Sequence, residues 1–189
     1  MDWYDLFYDV IALDFEFIVA DGDRQRPICL VAKSLKTGAE TKLWIAGGVQ
    51  CPLPNGPEHL YVGYFASAEW NCFLSLGWDL PVRVIDLYAE YRLMTNGLAG
   101  YALKSKYGLL AAAESFGIPA MDTHHKTDMR ELIMSGGPWS NEQQSEILRY
   151  CCKDVVITAN LFVRMWTKIA KDPLSLNQAL VRGRYTVAV

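Results

Sequence analysis

The stretch IALDFEFI, residues 11–18, is an apolar segment that contains two acids, Asp14 and Glu16, two positions apart. Side chains alternate along a β-strand, so the two acids share one face while the large apolar residues beside them point to the other. A carboxylate in an apolar segment is costly unless it is solvated, protonated, paired or bound to a cation. Taken alone, the segment is equally compatible with a solvent-facing strand and with a functional site.

Composition restricts the classes of protein to which the chain can belong. Its 189 residues, 51% of them hydrophobic, are enough for one well-buried domain. A net charge of −3 and a pI near 5.6 exclude a large basic surface, so any nucleic-acid contact is local or assisted by metal. Five cysteines without a CxxC pair indicate a reduced chain. An acidic N-terminus and the lack of a long apolar run predict no membrane span and a cytoplasmic protein, in the host cytoplasm if it is viral.

Hydrophobic patterning predicts an α/β fold. The predicted strands are residues 11–18, 28–34, 41–46, 60–66 and 82–87. The predicted helices are residues 67–78, 101–118 and 127–137, and a long helix that starts near Ser140. Ser140 and Gln143 have the spacing of a capping box, and Pro173 follows the predicted end of the long helix. The chain begins with strands and continues with strands that alternate with helices. This order of elements predicts a mixed five-stranded sheet flanked by helices.

Two further acids lie in apolar helical registers. Glu69 begins the apolar stripe of one predicted helix, and Asp154 occupies a core-like position of the long helix, one turn after Tyr150. Each residue alone has an ordinary explanation. An acid in the first turn of a helix is electrostatically favourable, which explains Glu69. An ion pair on the helix surface would account for Asp154, and packing in the core would account for Tyr150. Four carboxylates brought together would repel one another, and divalent cations remove that penalty. A ligand set of oxygen atoms alone favours Mg²⁺ or Mn²⁺ over zinc.

Three motifs resemble those of a known enzyme family. LDFEF, residues 13–17, resembles the first motif of the DEDD superfamily of 3′ to 5′ exonucleases, and YCCKD, residues 150–154, resembles the third motif of its tyrosine subgroup. YFASAEWNCFLSLGWDLPVRVID, residues 64–86, resembles the region of the second motif. The order and separations, over residues 11–169, are similar to those of proofreading domains in phage-type family A DNA polymerases. The resemblance implies a ribonuclease-H-like exonuclease fold.

The second motif departs from the family pattern. Family members usually have an asparagine followed by an aspartate, and the matching positions here are Phe65 and Glu69. Asp86 is a competing candidate for the acid. Because the family's aspartate at the end of the following strand is mostly structural, the resemblance favours Glu69.

The resemblance also implies a reaction. It is hydrolysis of single-stranded DNA from the 3′ end to nucleoside monophosphates, with two divalent cations, Mg²⁺ or Mn²⁺. Asp14 would contact both cations, Glu16 and Asp154 would hold the one that activates water, Glu69 would support the second, and Tyr150 would orient the attacking water. Four aromatic residues are candidates to stack the terminal bases, although core packing explains each equally well. These are Phe15, Tyr64, Phe65 and Trp70.

The C-terminal segment QALVRGRYTVAV, residues 178–189, resembles the junction between an exonuclease and a polymerase domain. We therefore predict an exonuclease domain over residues 1–172, a helical tail over residues 173–189, and a polymerase partner in cis or in trans. Whether the chain is a fragment or a full-length exonuclease stays open. Two alternatives also stay open: an RNA-directed exonuclease of the same superfamily, and a non-catalytic domain that binds nucleic acid or has a structural role.

Overall fold

Five strands form one mixed sheet. The computed structural model describes residues 2–19, 24–98, 107–119 and 123–188. The strands are β1 (Asp9–Val19), β2 (Gln25–Ser34), β3 (Glu40–Trp44), β4 (His59–Gly63) and β5 (Val84–Asp86). Their order in the sheet is β3-β2-β1-β4-β5. The first three strands are antiparallel, and β4 and β5 continue the sheet in parallel from β1. The predicted mixed five-stranded sheet is confirmed.

Helices cover both faces of this sheet. They are α1 (Trp3–Leu6), α2 (Ala66–Ser75), α3 (Leu87–Thr95), α4 (Leu109–Ser115), α5 (Thr123–Met134), α6 (Asn141–Ile169) and α7 (Pro173–Ala188). Leu13 and Phe15 of β1 pack in a cluster with Trp70 and Phe73 of α2. Ala12, one position earlier on β1, packs in a different cluster with residues of α5 and α6. The alternation of β1 therefore directs Asp14 and Glu16, which share the face of Ala12, toward α5 and α6.

The long helix α6 begins where the capping-box pattern predicts. The side chain of Ser140 accepts a hydrogen bond from the N–H of Gln143 at 3.3 Å, and the Gln143 side chain accepts one from the N–H of Ser140 at 2.9 Å. These two bonds satisfy donors that a helix start would otherwise leave without partners. The helix runs for 29 residues and buries one face against β1 and β2, so it has a fixed position over the acids of β1.

Several predicted boundaries are wrong. The strand expected over 60–66 ends at Gly63, and the strand expected over 82–87 covers only Val84–Asp86. Helix α3 was not predicted, although Asp86 caps it by accepting a hydrogen bond from the N–H of Tyr88 at 2.9 Å. Within the predicted helix 101–118, α4 occupies Leu109–Ser115, and residues 101–106 lie outside the described residues.

Helix α7 packs on the sheet and on α3. Leu176 and Ala179 belong to the buried core. Gly183 lies against the backbone of β5, where a Cβ atom would be 2.1 Å from the carbonyl oxygen of Val84. Arg182 forms a two-pronged ion pair with the buried carboxylate of Glu90, with N···O distances of 2.6 and 2.8 Å. No helix in the described residues is long and apolar enough to cross a membrane.

Candidate active site

The acids of β1 lie against the middle of α6. Asp14, Glu16 and Cys151 each offer an atom capable of binding a metal, and these three atoms lie within 4.8 Å of one another. The thiol of Cys151 donates to the side chain and to the backbone carbonyl of Asp14, each at 3.3 Å. The register of β1 changes after Glu16, where β2 has the extra residue Ile28. Bulges of this kind are common next to active sites because they redirect a side chain.

Glu69 reaches the same region from the other side of β1. Because β4 ends at Gly63, its pairing with β1 stops at Ala12 and Val62. Beyond that point the N–H of Phe15 donates to the carboxylate of Glu69 at 2.8 Å. Gly63 provides the space, since a Cβ atom there would lie 3.3 Å from the Cγ atom of Glu69. The early end of β4 thus lets a buried carboxylate lie beside the strand that carries Asp14 and Glu16.

Tyr150 and Asp154 lie one turn apart on the buried face of α6. Burial raises the pKa of Tyr150, and the nearby carboxylates of Asp154, Glu16 and Asp14 raise it further. A hydrogen bond to the side chain of Asp154 acts in the same direction. The phenol is therefore protonated at neutral pH, and its proton is shared with the side chain of Asp154.

The carboxylates of the site act on one another. Burial raises the pKa of Glu16 well above its usual range, and Asp14, Cys29, Asp154 and Glu69 raise it further. Burial also raises the pKa of Glu69, with added contributions from Asp14, Asp86 and Asp154 that the hydrogen bond from Phe15 opposes. The groups that raise these pKa values are acids and a thiol, so the cluster concentrates negative charge that a divalent cation would neutralise.

Asp86 has a different environment from Glu69. Its carboxylate accepts hydrogen bonds from the N–H groups of Phe65 at 3.1 Å and Tyr88 at 2.9 Å. Burial raises the pKa of Asp86, and hydrogen bonds from backbone N–H groups oppose the increase. These bonds join the start of α2 to the start of α3, which gives Asp86 a structural role.

Two clefts reach the acidic cluster. The first, of about 360 Å³, contains Asp14 and Asp154 and is lined otherwise by aromatic residues and the start of α4. The second, of about 230 Å³, contains Glu16 and Tyr150 and is bounded by α5, including Arg130. A larger groove of about 630 Å³ along α6 is lined by none of the predicted site residues. One of the two smaller clefts therefore reaches Asp14 and the other reaches Glu16.

Comparison with solved structures identifies the fold. No protein-family model matches the sequence, and no curated protein does. A structure described as the apo form of a nuclease aligns with 100% of this chain and 86% of its own, at a TM-score of 0.69 and 15% identity. RNase D of Escherichia coli, described as an exoribonuclease involved in structured RNA processing, aligns with 95% of this chain and 45% of its own, at a TM-score of 0.63 and 16% identity.

A third similar structure is the EXO domain of Nibbler from Aedes aegypti. It aligns with 94% of this chain and 88% of its own, at a TM-score of 0.56 and 15% identity. The chain has a ribonuclease-H-like exonuclease fold. The family resemblance of the three motifs had implied this fold, and the exonuclease fold is confirmed although sequence identity is low.

Within this exonuclease fold, the predicted site residues are brought together to different degrees. Asp14 and Glu16 lie closest, Asp154 and Glu69 are near enough to raise the pKa of Glu16, and Tyr150 bonds to Asp154. Cys151, which no pattern in the sequence marks as a site residue, lies among the expected oxygen ligands. Burial raises the pKa of its thiol, so the sulfur is a neutral donor to Asp14 and a poor ligand for a hard cation.

The aromatic candidates for base stacking separate into two groups. Phe15 and Trp70 are 3% and 1% exposed and belong to the core, so they are not available to a substrate. Tyr64 and Phe65 line the aromatic cleft, and Phe65 is 50% exposed. Only the second group remains as candidates for contact with a nucleotide.

Proposed function

We propose that the protein is a metal-dependent 3′ to 5′ exonuclease that acts on single-stranded nucleic-acid ends. One observation carries this proposal: acids from β1, α2 and α6 gather around Asp14 in a fold shared with solved nucleases. The groups that most affect the pKa values of Glu16 and Glu69 include no described basic side chain. A purely structural cluster of this charge would be costly without compensation.

The residues present are suited to divalent cations. Asp14, Glu16 and Asp154 offer carboxylate oxygens, which Mg²⁺ and Mn²⁺ prefer, and Glu69 is the fourth proposed acid. When bound, such cations supply a more acidic water molecule and neutralise charge on the reacting phosphate. We assign to Asp14 contact with both cations, as in the family that the motifs resemble.

The chain itself positions the reacting groups. Tyr150 has a raised pKa and its hydroxyl is hydrogen-bonded to Asp154, so we assign it to orient the attacking water through its oxygen, which can accept, and not to remove a proton. The N–H of Phe15 holds Glu69 beside the cluster, and the thiol of Cys151 holds Asp14. Catalysis in this proposal depends mainly on positioning and on charge neutralisation.

The proposed substrate is a single-stranded DNA end, and the proposed role is proofreading for a family A polymerase. The sequence resemblance of the three motifs and of residues 178–189 supports both. RNA is the second candidate, because similar solved structures include RNase D of Escherichia coli and a Trypanosoma brucei RNase D in complex with RNA. Both substrates would use the same acids.

The test is degradation of 5′-labelled and 3′-labelled single strands of DNA and of RNA with the same sequence, in Mn²⁺ or Mg²⁺. We expect a ladder that shortens from the 3′ end, requires the cation and is absent in Asp14→Ala. The ratio of the DNA and RNA rates selects the substrate. Failure to degrade either strand would contradict the proposal and favour a non-catalytic domain.

The same assay decides between Glu69 and Asp86. We expect Glu69→Gln to lower kcat by about 10²-fold or more, by analogy with removal of one stabilising group in other active sites. Asp86→Asn keeps the shape of the side chain and retains an oxygen that accepts from the N–H groups of Phe65 and Tyr88. A larger loss of kcat in Asp86→Asn than in Glu69→Gln, with both variants folded, would reverse the assignment.

A further inference from the structure

An aromatic strip borders the cleft that contains Asp14 and Asp154. We define this strip as Phe65, Tyr88 and Tyr107, which line the cleft, together with Arg92, which lies against the rings of Tyr88 and Tyr107. The rings of Phe65 and Tyr88 meet edge to face at 5.0 Å, and the guanidinium of Arg92 lies 5.7 Å from the ring of Tyr88 and 5.1 Å from that of Tyr107. The strip joins the start of α2, one face of α3 and the residue pair before α4 into one surface.

Phe65 has an unusual backbone and an exposed ring. Its φ is +67°, the only positive value for a residue other than glycine among the described residues. Bulky side chains are rarely found in this left-handed region, and such strain tends to persist at functional sites. The ring is nevertheless 50% exposed, so burial in the core does not explain its presence. The hydrogen bond from its N–H to Asp86 holds it in place.

Arg92 is held in position without an ion pair. Its side chain donates to the hydroxyl of Tyr88 at 3.4 Å and lies between two aromatic rings. Within the described part of the chain, no carboxylate forms a salt bridge with it. An exposed guanidinium that is oriented and carries no counter-charge is well suited to a phosphate.

Tyr107, which completes the strip, is held by Tyr64, the residue that follows β4. The hydroxyl of Tyr64 donates to the backbone carbonyl of Tyr107, and the ring of Tyr64 contacts that of Tyr88 at 6.0 Å. The strip therefore has a defined shape beside Asp14 and Asp154, which line the same cleft. Preformed surfaces of aromatic rings and a cation bind unpaired nucleotides by stacking and by phosphate contact.

We propose that the aromatic strip binds the unpaired nucleotides next to the bond that is cut, with one base on the ring of Phe65 and a phosphate on Arg92. This inference rests on the proposed function, because it assigns part of the substrate of the same site. A cleft of about 360 Å³ is within the size range of small-ligand sites, and stacking on the ring of Phe65 requires an accessible base face. The ligand is therefore a single strand with accessible base faces.

The test measures binding without cleavage, by fluorescence anisotropy of labelled oligonucleotides in EDTA. One oligonucleotide is a thymidine homopolymer, and the other has the same length with abasic positions at its 3′ end. Phe65→Asn removes the ring and supplies a residue that tolerates a positive φ, so it should remain folded. Tyr185→Asn is the matched control, since Tyr185 is 68% exposed on α7.

We expect Phe65→Asn to weaken binding of the homopolymer by about tenfold, the effect of losing one stacked base, and to leave binding of the abasic strand unchanged. Arg92→Gln should weaken binding of both strands and reduce the dependence on salt, whereas Arg184→Gln should not. Tyr185→Asn should bind both strands like the wild type.

Equal losses for both strands in Phe65→Asn, or no loss for either, would overturn the stacking assignment. Wild-type protein that binds neither strand would overturn the proposal altogether. If Phe65→Asn cleaves as fast as the wild type, the exonuclease proposal would stand, and the strip would have no part in the reaction. If the protein binds the homopolymer selectively but cleaves no strand under any condition, the strip proposal would stand and the exonuclease proposal would fail.

Discussion

At the scale of single residues, the orientation of Asp14 depends on Cys151. The thiol is fully buried and donates to both the carboxylate and the backbone carbonyl of Asp14. Burial, a hydrogen bond with Cys29 and the charge of Asp14 raise its pKa, so the proton that makes these bonds is retained at neutral pH. Replacing a group that orients a metal ligand commonly lowers metal affinity, although that group does not contact the metal itself.

We therefore predict that Cys151→Ala weakens Mn²⁺ binding by about tenfold, while Cys151→Ser retains most of it through the hydroxyl donor. Calorimetric titration of the free protein measures this without any need for catalysis. Cys152→Ala is the control, because Cys152 lies next in sequence and its sulfur contacts Glu40 at 3.9 Å instead of the site. Wild-type Mn²⁺ affinity in a folded Cys151→Ala protein would disprove the positioning role.

The residues of the site differ in how well the sequence alone predicts their positions. The shared face of Asp14 and Glu16 follows from the alternation of any strand, and the shared face of Tyr150 and Asp154 follows from the helical repeat. Cys151 has no such signature, since its donor role requires knowing that α6 crosses β1 at Asp14. The strain at Phe65 is also hidden, because it results from the bond to Asp86 twenty-one positions later. The catalytic roles themselves stay predictions.

At the scale of elements, the length of β4 decides where Glu69 lies. The sequence predicts a strand over residues 60–66, whereas β4 ends at Gly63 and α2 begins at Ala66. A longer β4 would have paired with the N–H of Phe15 and excluded Glu69. Helix α3 was missed although Asp86 is a good N-cap, because the apolar segment before it was assigned to the strand alone. A long element such as α6 was predictable because its apolar pattern repeats over many turns.

The contact between α7 and α3 leads to a prediction about stability. Glu90 is 2% exposed, and its only described ionic partner is Arg182, whose side chain is 34% exposed. Arg182→Met keeps the aliphatic contacts and leaves a buried carboxylate without its partner. We expect a loss of about 2–3 kcal/mol in the free energy of unfolding, less than for a fully buried pair.

Urea unfolding followed by circular dichroism measures that loss. Arg184→Met, on the exposed side of the same helix, should change the free energy of unfolding by less than about 0.5 kcal/mol. If Arg182→Met were as stable as Arg184→Met, the ion pair with Glu90 would not contribute to stability, and α7 would be held by apolar contacts such as those of Leu176 and Ala179.

At the scale of the whole molecule, the site opposes the stability of the fold that carries it. The core clusters on both faces of the sheet stabilise the chain, and the acids between β1, α2 and α6 reduce that stability whenever they are charged together. Active sites often carry such a cost, because the arrangement that binds a cation is unfavourable without one. The sequence reveals the presence of these acids, but only the folded arrangement shows that the partly buried Asp14 and Glu16 lie close to the buried Glu69 and Asp154.

The stability of the whole chain should therefore depend on pH and on divalent cations. The pKa of Glu16 and that of Glu69 are raised above their usual 4.5, so the folded state holds more protons than the unfolded state. Stability then falls as pH rises from about this value toward the raised pKa, and the full penalty is present above it. Bound Mn²⁺ should remove much of the penalty at pH 8 and little at pH 5, where protons compete for the carboxylates.

Glu16→Gln isolates this effect because it keeps the side-chain shape and removes one charge. In EDTA at pH 8 we expect the variant to be more stable than the wild type, measured as a higher Tm, because glutamine carries no charge for burial and the nearby Asp14 to disfavour. The difference should shrink toward pH 4, and Mn²⁺ should raise the Tm of the variant less than that of the wild type. Glu146→Gln, at an exposed position of α6, should show neither change.

A Glu16→Gln protein that is less stable than the wild type in EDTA at pH 8 would mean that a cationic or hydrogen-bonding partner already compensates the charge of Glu16. The case for a cation site would then fail.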